Sequence, residues 1–343
     1  MIGGELLVVG FEGPSLTSPE SALLRRLDPF GVILFGRNIE DAAQLHGLVG
    51  ELRRVVPGAV LCLDAEGGPV DRLRSVVGAA PAAARLARQP VRQARRAGRW
   101  IGAALHHFGI GIDFAPVVDL DHGACRNALD ERYLGSRPGA VTARAGAFLE
   151  GLRSAAVEGC LKHFPGLGGA AQDTHFEGSE IDRSRAALAD DLAPFTALRD
   201  RHAPVMVGHA SYALLDRSAR PASLSPAIAS DLLRGELGFR GVAFSDDLEM
   251  KALDRWGSLP ERTRAALEAG CDGLLICRRL AEAPAVAEAL AAPELASRRR
   301  QAGERLSELR RRMASWRPPR RWSLETIRRR LEALDRALPS AQG

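Results

Sequence analysis

The stretch Gly159-Cys160-Leu161-Lys162-His163-Phe164-Pro165-Gly166 is a short apolar run that ends on two polar residues and then a Pro-Gly turn. Such a run, apolar on both sides and bounded by turn residues, reads as a strand buried on both faces, which is how a parallel sheet is written in sequence. Seven more runs repeat the pattern: Leu6 to Phe11, Gly31 to Phe35, Val60 to Leu63, Ile112 to Val118, Val205 to Gly208, Gly241 to Ser245 and Gly273 to Cys277. Each gap is long enough for a helix. Ala42-Leu45-Leu48-Val49-Leu52 and Ala186-Leu188-Leu192-Phe195-Leu198 carry the apolar stripe such helices need. The order predicts an α/β chain forming a single (β/α)8 TIM-like barrel. An open doubly wound sheet is the alternative, but no G-x-G-x-x-G follows the first strand. Polar residues also recur at the strand C-terminal ends, where barrels gather their functional side chains. Those ends read Asp64-Ala65-Glu66, Asp119, Lys162-His163, His209 and Ser245-Asp246-Asp247.

The length of 343 residues suits one barrel with an extension, and 46% hydrophobic with 26% charged residues is the composition of a globular chain. The net charge of +5 hints at nucleic acid until its location is found: residues 298–336 hold 14 Arg against five acids, which leaves the remainder at −4. Apolar residues recur at helical spacing in that tail (Leu306, Leu309, Met313; Leu324, Ile327, Leu331, Leu334), so its arginines are expected on the solvated face of amphipathic helices. No nucleic-acid recognition motif accompanies them. No apolar run reaches the roughly 18 residues of a membrane span. The start, Met1-Ile2-Gly3-Gly4-Glu5, lacks a basic leader, so a cytoplasmic protein without nucleic-acid or membrane partners is expected. Five cysteines without a C-x-x-C pair are expected to be reduced and mostly buried.

All but two of the 47 Lys and Arg residues are Arg, and one of the two lysines is Lys162. An ammonium kept at a strand end, in a chain that otherwise writes its cations as Arg, fits a hydroxyl-rich ligand, although an incidental lysine would look the same. Asp173-Thr174-His175 follows the Pro165-Gly166 turn within a Gly-rich loop. In an extended loop positions i and i+2 face the same way, so Asp173 could orient the His175 imidazole as a general acid/base; a surface pair is the plain alternative. Asp246 and Asp247 follow one another, so at most one is expected to face the pocket while the other caps a helix or binds backbone amides. A carboxylate nucleophile paired with a separate proton donor is the chemistry of retaining glycoside hydrolysis. The eight histidines are mostly isolated and no H-E-x-x-H is present, so neither a metal nor a cofactor is implied.

Lys162-His163-Phe164-Pro165-Gly166, Asp173-Thr174-His175 and Ser245-Asp246-Asp247-Leu248 with Met250 together resemble the bacterial β-N-acetylglucosaminidases of glycoside hydrolase family 3. Asp64 with Glu66-Gly67-Gly68 and Arg72, Phe114-Ala115-Pro116-Val117, Glu131-Arg132 and Pro221-Ala222-Ser223 extend the agreement, in order, from about Gly31 to Cys277. The resemblance implies Asp246 as nucleophile, His175 as acid/base and Asp173 as its partner. It implies Asp64, Arg72, Arg132, Lys162 and His163 as the residues that hold N-acetylglucosamine. It further implies a cytoplasmic enzyme of peptidoglycan recycling acting on saccharide or muropeptide substrates. Residues 1–280 are expected to form the catalytic barrel and 281–343 an Arg-rich helical extension. Two positions depart from the family pattern: Leu167 stands where it has His, and Pro69 where it has Arg. A sugar-binding protein without turnover and a phosphorylase remain as rival readings. No Gly-rich phosphate cradle leads into a helix beside Asp246, so water is the expected acceptor.

Overall fold

Thr17 and Glu20 form a reciprocal capping box at the first helix, Asp41 caps the second, and Ser258 with Glu261 boxes a later one, so several of the helices start where the sequence supplies an oxygen for the orphan amides. The computed structural model describes residues 1–123, 129–169, 179–317 and 321–339. It begins with β1 (Leu7–Val9), α1 (Ser18–Leu27), β2 (Gly31–Leu34), α2 (Ala42–Val55) and β3 (Val60–Leu63). A hairpin of β4 (Ala65–Gly67) and β5 (Val70–Asp71) follows, then α3 (Arg74–Val77), α4 (Ala83–Ala87), α5 (Val91–His107) and β6 (Ile112–Asp113). The second half runs through α6 (Pro138–Arg153), β7 (Glu158–Gly159), β8 (Leu161–Phe164), α7 (Arg185–Leu198), β9 (Val205–Val207), a π-helix (Ala227–Glu236) and β10 (Ala243–Asp247). It ends with α8 (Leu259–Ala269), β11 (Gly273–Ile276), α9 (Ala283–Leu290), α10 (Ala296–Ala314) and α11 (Leu324–Arg336).

Nine of these strands form one parallel sheet in the order β7-β6-β3-β2-β1-β11-β10-β9-β8. The two strands at its ends, β7 and β8, are consecutive pieces of the single run Glu158–Phe164, so the sheet closes on itself into a barrel of eight strand positions. Glu158 and Gly159 pair with Ile112 and Asp113, while Leu161 and Phe164 pair with Val205 and Val207. The stretch from which the fold was read is thus the seam of the barrel. All eight expected runs contribute a strand. The run expected over Ile112 to Val118 is paired as a strand only at Ile112–Asp113, with a single bridge from Val117 to Lys162 further on, because Pro116 has no N–H to give the ladder. Phe114 and Phe244 meet edge to face at 5.5 Å, and Phe164 packs edge-on against Phe195 of α7 at 5.2 Å.

The C-terminal helices lie against the barrel. Ile327, Leu331 and Leu334 of α11 are buried on the α5 side, where Trp322 meets Trp100 at 5.3 Å. Their arginines do not all face water, as the periodicity predicted. Arg300, Arg311 and Arg336 do, but Arg298 and Arg305 reach the fully buried Asp272 at 2.9 and 3.0 Å, and Arg312 reaches the buried Glu158. These carboxylates stand where β11 and β7 begin, and a carboxylate there must be neutralised by whatever helix covers that end. Cys62, Cys160, Cys271 and Cys277 are free and buried; Cys125 lies outside the described residues. Among the described residues no helix is long and apolar enough to cross a membrane.

Candidate active site

A cavity of about 230 Å³ opens at the C-terminal ends of the barrel strands. Its floor is apolar (Ile33, Phe114, Met206, Leu275), and its polar lining comes from successive strand ends: Asp64 and Glu66 after β3, Lys162 and His163 on β8, Asp246 and Asp247 on β10. Arg72 from the segment after β5 and Arg132 from the segment before α6 complete it. The structure therefore brings Asp64, Arg72, Arg132, Lys162, His163 and Asp246 to one pocket. Asp173 and His175 lie outside the described residues.

Glu66 is the hub. Arg132 gives it Nε and Nη2 at 2.7 and 2.8 Å, and the Lys162 ammonium lies 2.6 Å from Oε1 and 2.8 Å from Asp64 Oδ1. Burial alone would raise the Glu66 carboxyl, but the two cations hydrogen-bonded to it pull it down to about 2. Burial likewise opposes the Lys162 ammonium, and Asp64 and Glu66 outweigh it, holding the group protonated well above the usual lysine range. The cations are thus charged and fixed before any ligand arrives. Asp64, at 15% side-chain exposure against 3% for Lys162 and Glu66, is the member of the group that still meets the cavity most openly.

His163 is oriented from behind. Its Nδ1 lies 2.8 Å from Asp119 Oδ2, and Asp119 also accepts the backbone N–H groups of His163 and Leu167, which leaves Nε2 as the ring atom toward the pocket. Leu167, one of the two departures, is buried and uses its amide to anchor this carboxylate. Pro69, the other, is exposed in the turn of the β4–β5 hairpin. Arg72 stacks its guanidinium 5.9 Å from the Phe35 ring, and its Nε is buried without a partner among the described residues, a donor that a bound oxygen would satisfy.

Both adjacent aspartates belong to the residues around the cavity, and Asp247 at the same time binds backbone amides with its carboxylate. Asp246 Oδ1 accepts the Asp247 amide at 2.8 Å, and Asp247 Oδ1 accepts the Glu249 amide at 3.1 Å and the Cys277 amide at 3.4 Å. Burial, then the nearby charges of Glu249 and Asp246, raise the Asp247 carboxyl to about 7, with the Glu249 amide opposing. Asp247 therefore gives up its proton less readily than an ordinary aspartate. The sequence showed Asp119 only as a strand-end polar residue and Glu66 only as that and as part of a motif, with no role for either. The signal for Glu66 is its i+2 spacing from Asp64, which on an extended segment puts both on one side.

The arrangement offers charged donors, an acceptor at Asp64 and two further carboxylates around a space the size of one sugar ring, which is equipment for holding a hydroxyl-rich ligand. The glycosyl hydrolase family 3 N-terminal domain matches residues 3–309. Beta-hexosaminidase of Alkalilimnicola ehrlichii is 40% identical over 301 residues, 84% of this chain and 85% of the relative. Among solved structures, the family 3 beta-N-acetylglucosaminidase from a Paenibacillus species superposes with a TM-score of 0.87 at 29% identity, covering 96% of this chain and 67% of that one. NagZ from Neisseria gonorrhoeae, solved in complex with N-trifluoroacetyl-D-glucosamine, superposes with a TM-score of 0.78 at 30% identity over 98% of this chain and 99% of that one.

Proposed function

Because the chain belongs to glycoside hydrolase family 3 and is a glycoside hydrolase, we propose that it removes terminal β-linked N-acetylglucosamine with net retention, through a covalent ester on Asp246. In the first step an Asp246 oxygen bonds to the anomeric carbon as the bond to the leaving oxygen breaks, and His175, oriented by Asp173, gives that oxygen its proton. In the second, His175 takes a proton from water, the water oxygen bonds to the anomeric carbon, and the ester bond returns its electrons to Asp246. His175 and Asp173 enter on the resemblance of their motif. Lys162, Arg132, Asp64, His163 and Arg72 hold the sugar. Asp247, whose carboxyl is raised to about 7 by burial and its acidic neighbours, carries less negative charge beside the reacting centre than an ordinary aspartate would.

The observation that carries this reading is the gathering of Asp246 with five polar sugar-binding candidates around a cavity of about 230 Å³, room for one terminal monosaccharide. The natural substrate on this reading is a muropeptide fragment, met in the cytoplasm during peptidoglycan recycling; four buried free cysteines suit such a reducing compartment. Turnover of 4-nitrophenyl N-acetyl-β-glucosaminide against the β-glucoside, with and without phosphate, tests it. Strong preference for the N-acetyl substrate with free N-acetylglucosamine as product is expected. Preference for the glucoside, or N-acetylglucosamine 1-phosphate as the main product, would overturn it.

A further inference from the structure

Between α2 and α5, toward the end of the barrel at which the strands begin, lies a second cavity of about 640 Å³. It is remote from the strand ends that carry Asp246. Six groups that hold or can take a positive charge line it: His46 and Arg53 of α2, Arg99, His106 and His107 of α5, and Arg321 just before α11. Among the described residues no Asp or Glu lines it, and Arg53, Arg99 and Arg321 have no carboxylate partner. Where cations cluster in the buried parts of this chain a carboxylate answers them, Asp272 for Arg234, Arg298 and Arg305 and Glu66 for Arg132 and Lys162; here His46, Arg53, Arg99 and Arg321 are exposed and His106 and His107 half-buried, and no carboxylate lines the cavity among the described residues. Water screens the exposed members of the cluster, and the C-terminal carbonyls of α2 and α5 favour Arg53, His106 and His107 in the last turns, without neutralising them.

The cluster is also positioned. Gly109 holds a φ of +75°, and a Cβ there would lie 2.2 Å from Arg53 Nη2, so the missing side chain is the space the guanidinium occupies. His46 and His107 present their Nε2 atoms to one another at 3.3 Å, and His107 is also hydrogen-bonded to the Trp322 backbone. Phe108 packs behind both rings at 4.8 and 5.1 Å. Trp322 supplies an apolar wall.

We propose that this cavity binds a small phosphorylated compound, its phosphate held by Arg53, Arg321 and the His46–His107 pair and its organic part lying against Trp322. Forked guanidinium donors and imidazole N–H groups match a phosphate dianion, and a cavity of this size leaves room for more than the phosphate. The site also takes up protons. Burial, then Arg321, Arg53 and His107, lower the His106 pKa; burial, then His46 and Arg321, lower that of His107 against the pull of the Trp322 backbone. The groups facing these rings are those of α2, α5 and the Arg321–Trp322 segment, and the Ser154–Ala156 turn adds none. A bound dianion reverses this balance, so binding near neutral pH draws protons from the buffer.

Titration calorimetry of the full chain with inorganic phosphate, AMP and adenosine, at low salt and in two buffers of different ionisation heat, tests the proposal. Binding of phosphate or AMP with proton uptake is expected, weakened at least tenfold in the Arg53→Met/Arg321→Met double variant, with adenosine silent. The double variant keeps wild-type kcat/KM toward the aryl glycoside, which shows that it is folded. Tighter binding of AMP than of phosphate supports the proposal, and equal binding of the two would overturn it, because nothing would then lie against Trp322. No heat from either anion at about 10 mM, well above a millimolar Kd, overturns the proposal. Undiminished binding in the double variant overturns it too, as does binding of Zn²⁺ alone at the two imidazoles.

Discussion

At Glu66 two cations share one buried carboxylate, and the sugar-holding group depends on it because neither Arg132 nor Lys162 has the open exposure to stay hydrated alone. Breaking a buried ion pair from one side leaves charge without compensation, a loss of about 3–5 kcal/mol. Glu66→Gln keeps the shape and removes the charge, so it is expected to lower unfolding free energy by about 3 kcal/mol and kcat/KM by at least about tenfold, roughly 1.4 kcal/mol at the transition state. Denaturant titration and steady-state kinetics on the same preparation check both. A variant as stable and as active as wild type would show that the cations do not need this carboxylate. The sequence singled out Lys162 and Arg132 but only quoted Glu66 inside a motif, since a single carboxylate serving two distant cations is a property of the closed barrel.

Between α5 and α6 the contact is made by backbone. A Cβ at Gly98 would lie 2.2 Å from the Phe148 carbonyl oxygen, and one at Gly151 would lie 2.3 Å from that of Arg95. Gly98→Ala would gain up to about 1 kcal/mol of helix propensity if the helix stood alone, but here it must push two helices apart, and overpacking costs about 1–3 kcal/mol. The variant is expected to be less stable in urea titration, and a gain would mean that the helices separate freely. Elements of this kind differ in how far sequence discloses them. The strands were legible because burial on both faces leaves continuous apolar runs, and their polar ends marked the pocket face. The inward arginines of α10 were not, because helical periodicity sorts apolar from polar residues and says nothing of a carboxylate elsewhere: Asp272 is 26 residues from Arg298, and Glu158 is 154 residues from Arg312. The run from Ile112 to Val118 showed its apolar character, while Pro116 decided how much of it pairs.

For the molecule as a whole, two buried carboxyls set opposite pH dependences. Glu66, held at about 2, contributes stability that is complete above its ordinary 4.5 and is lost as pH falls toward 2. Asp247, raised to about 7, binds its proton more tightly folded than unfolded, so its contribution is complete below 3.8 and is lost as pH rises through 7. Asp247→Asn cannot titrate. The Tm of the wild type relative to this variant is therefore expected to fall as pH is raised from 4 to 7, and a constant difference would place the Asp247 pKa in the ordinary range. The barrel as a whole, on this account, serves one bond to one carboxylate at the end of β10. Reaction with a 5-fluoro N-acetylglucosaminyl fluoride, followed by intact mass and peptide sequencing, tests that most directly. The account predicts one sugar on Asp246, released when the protein is returned to water; a label on Asp247 or on any other residue, or none on an enzyme that turns over, would contradict it.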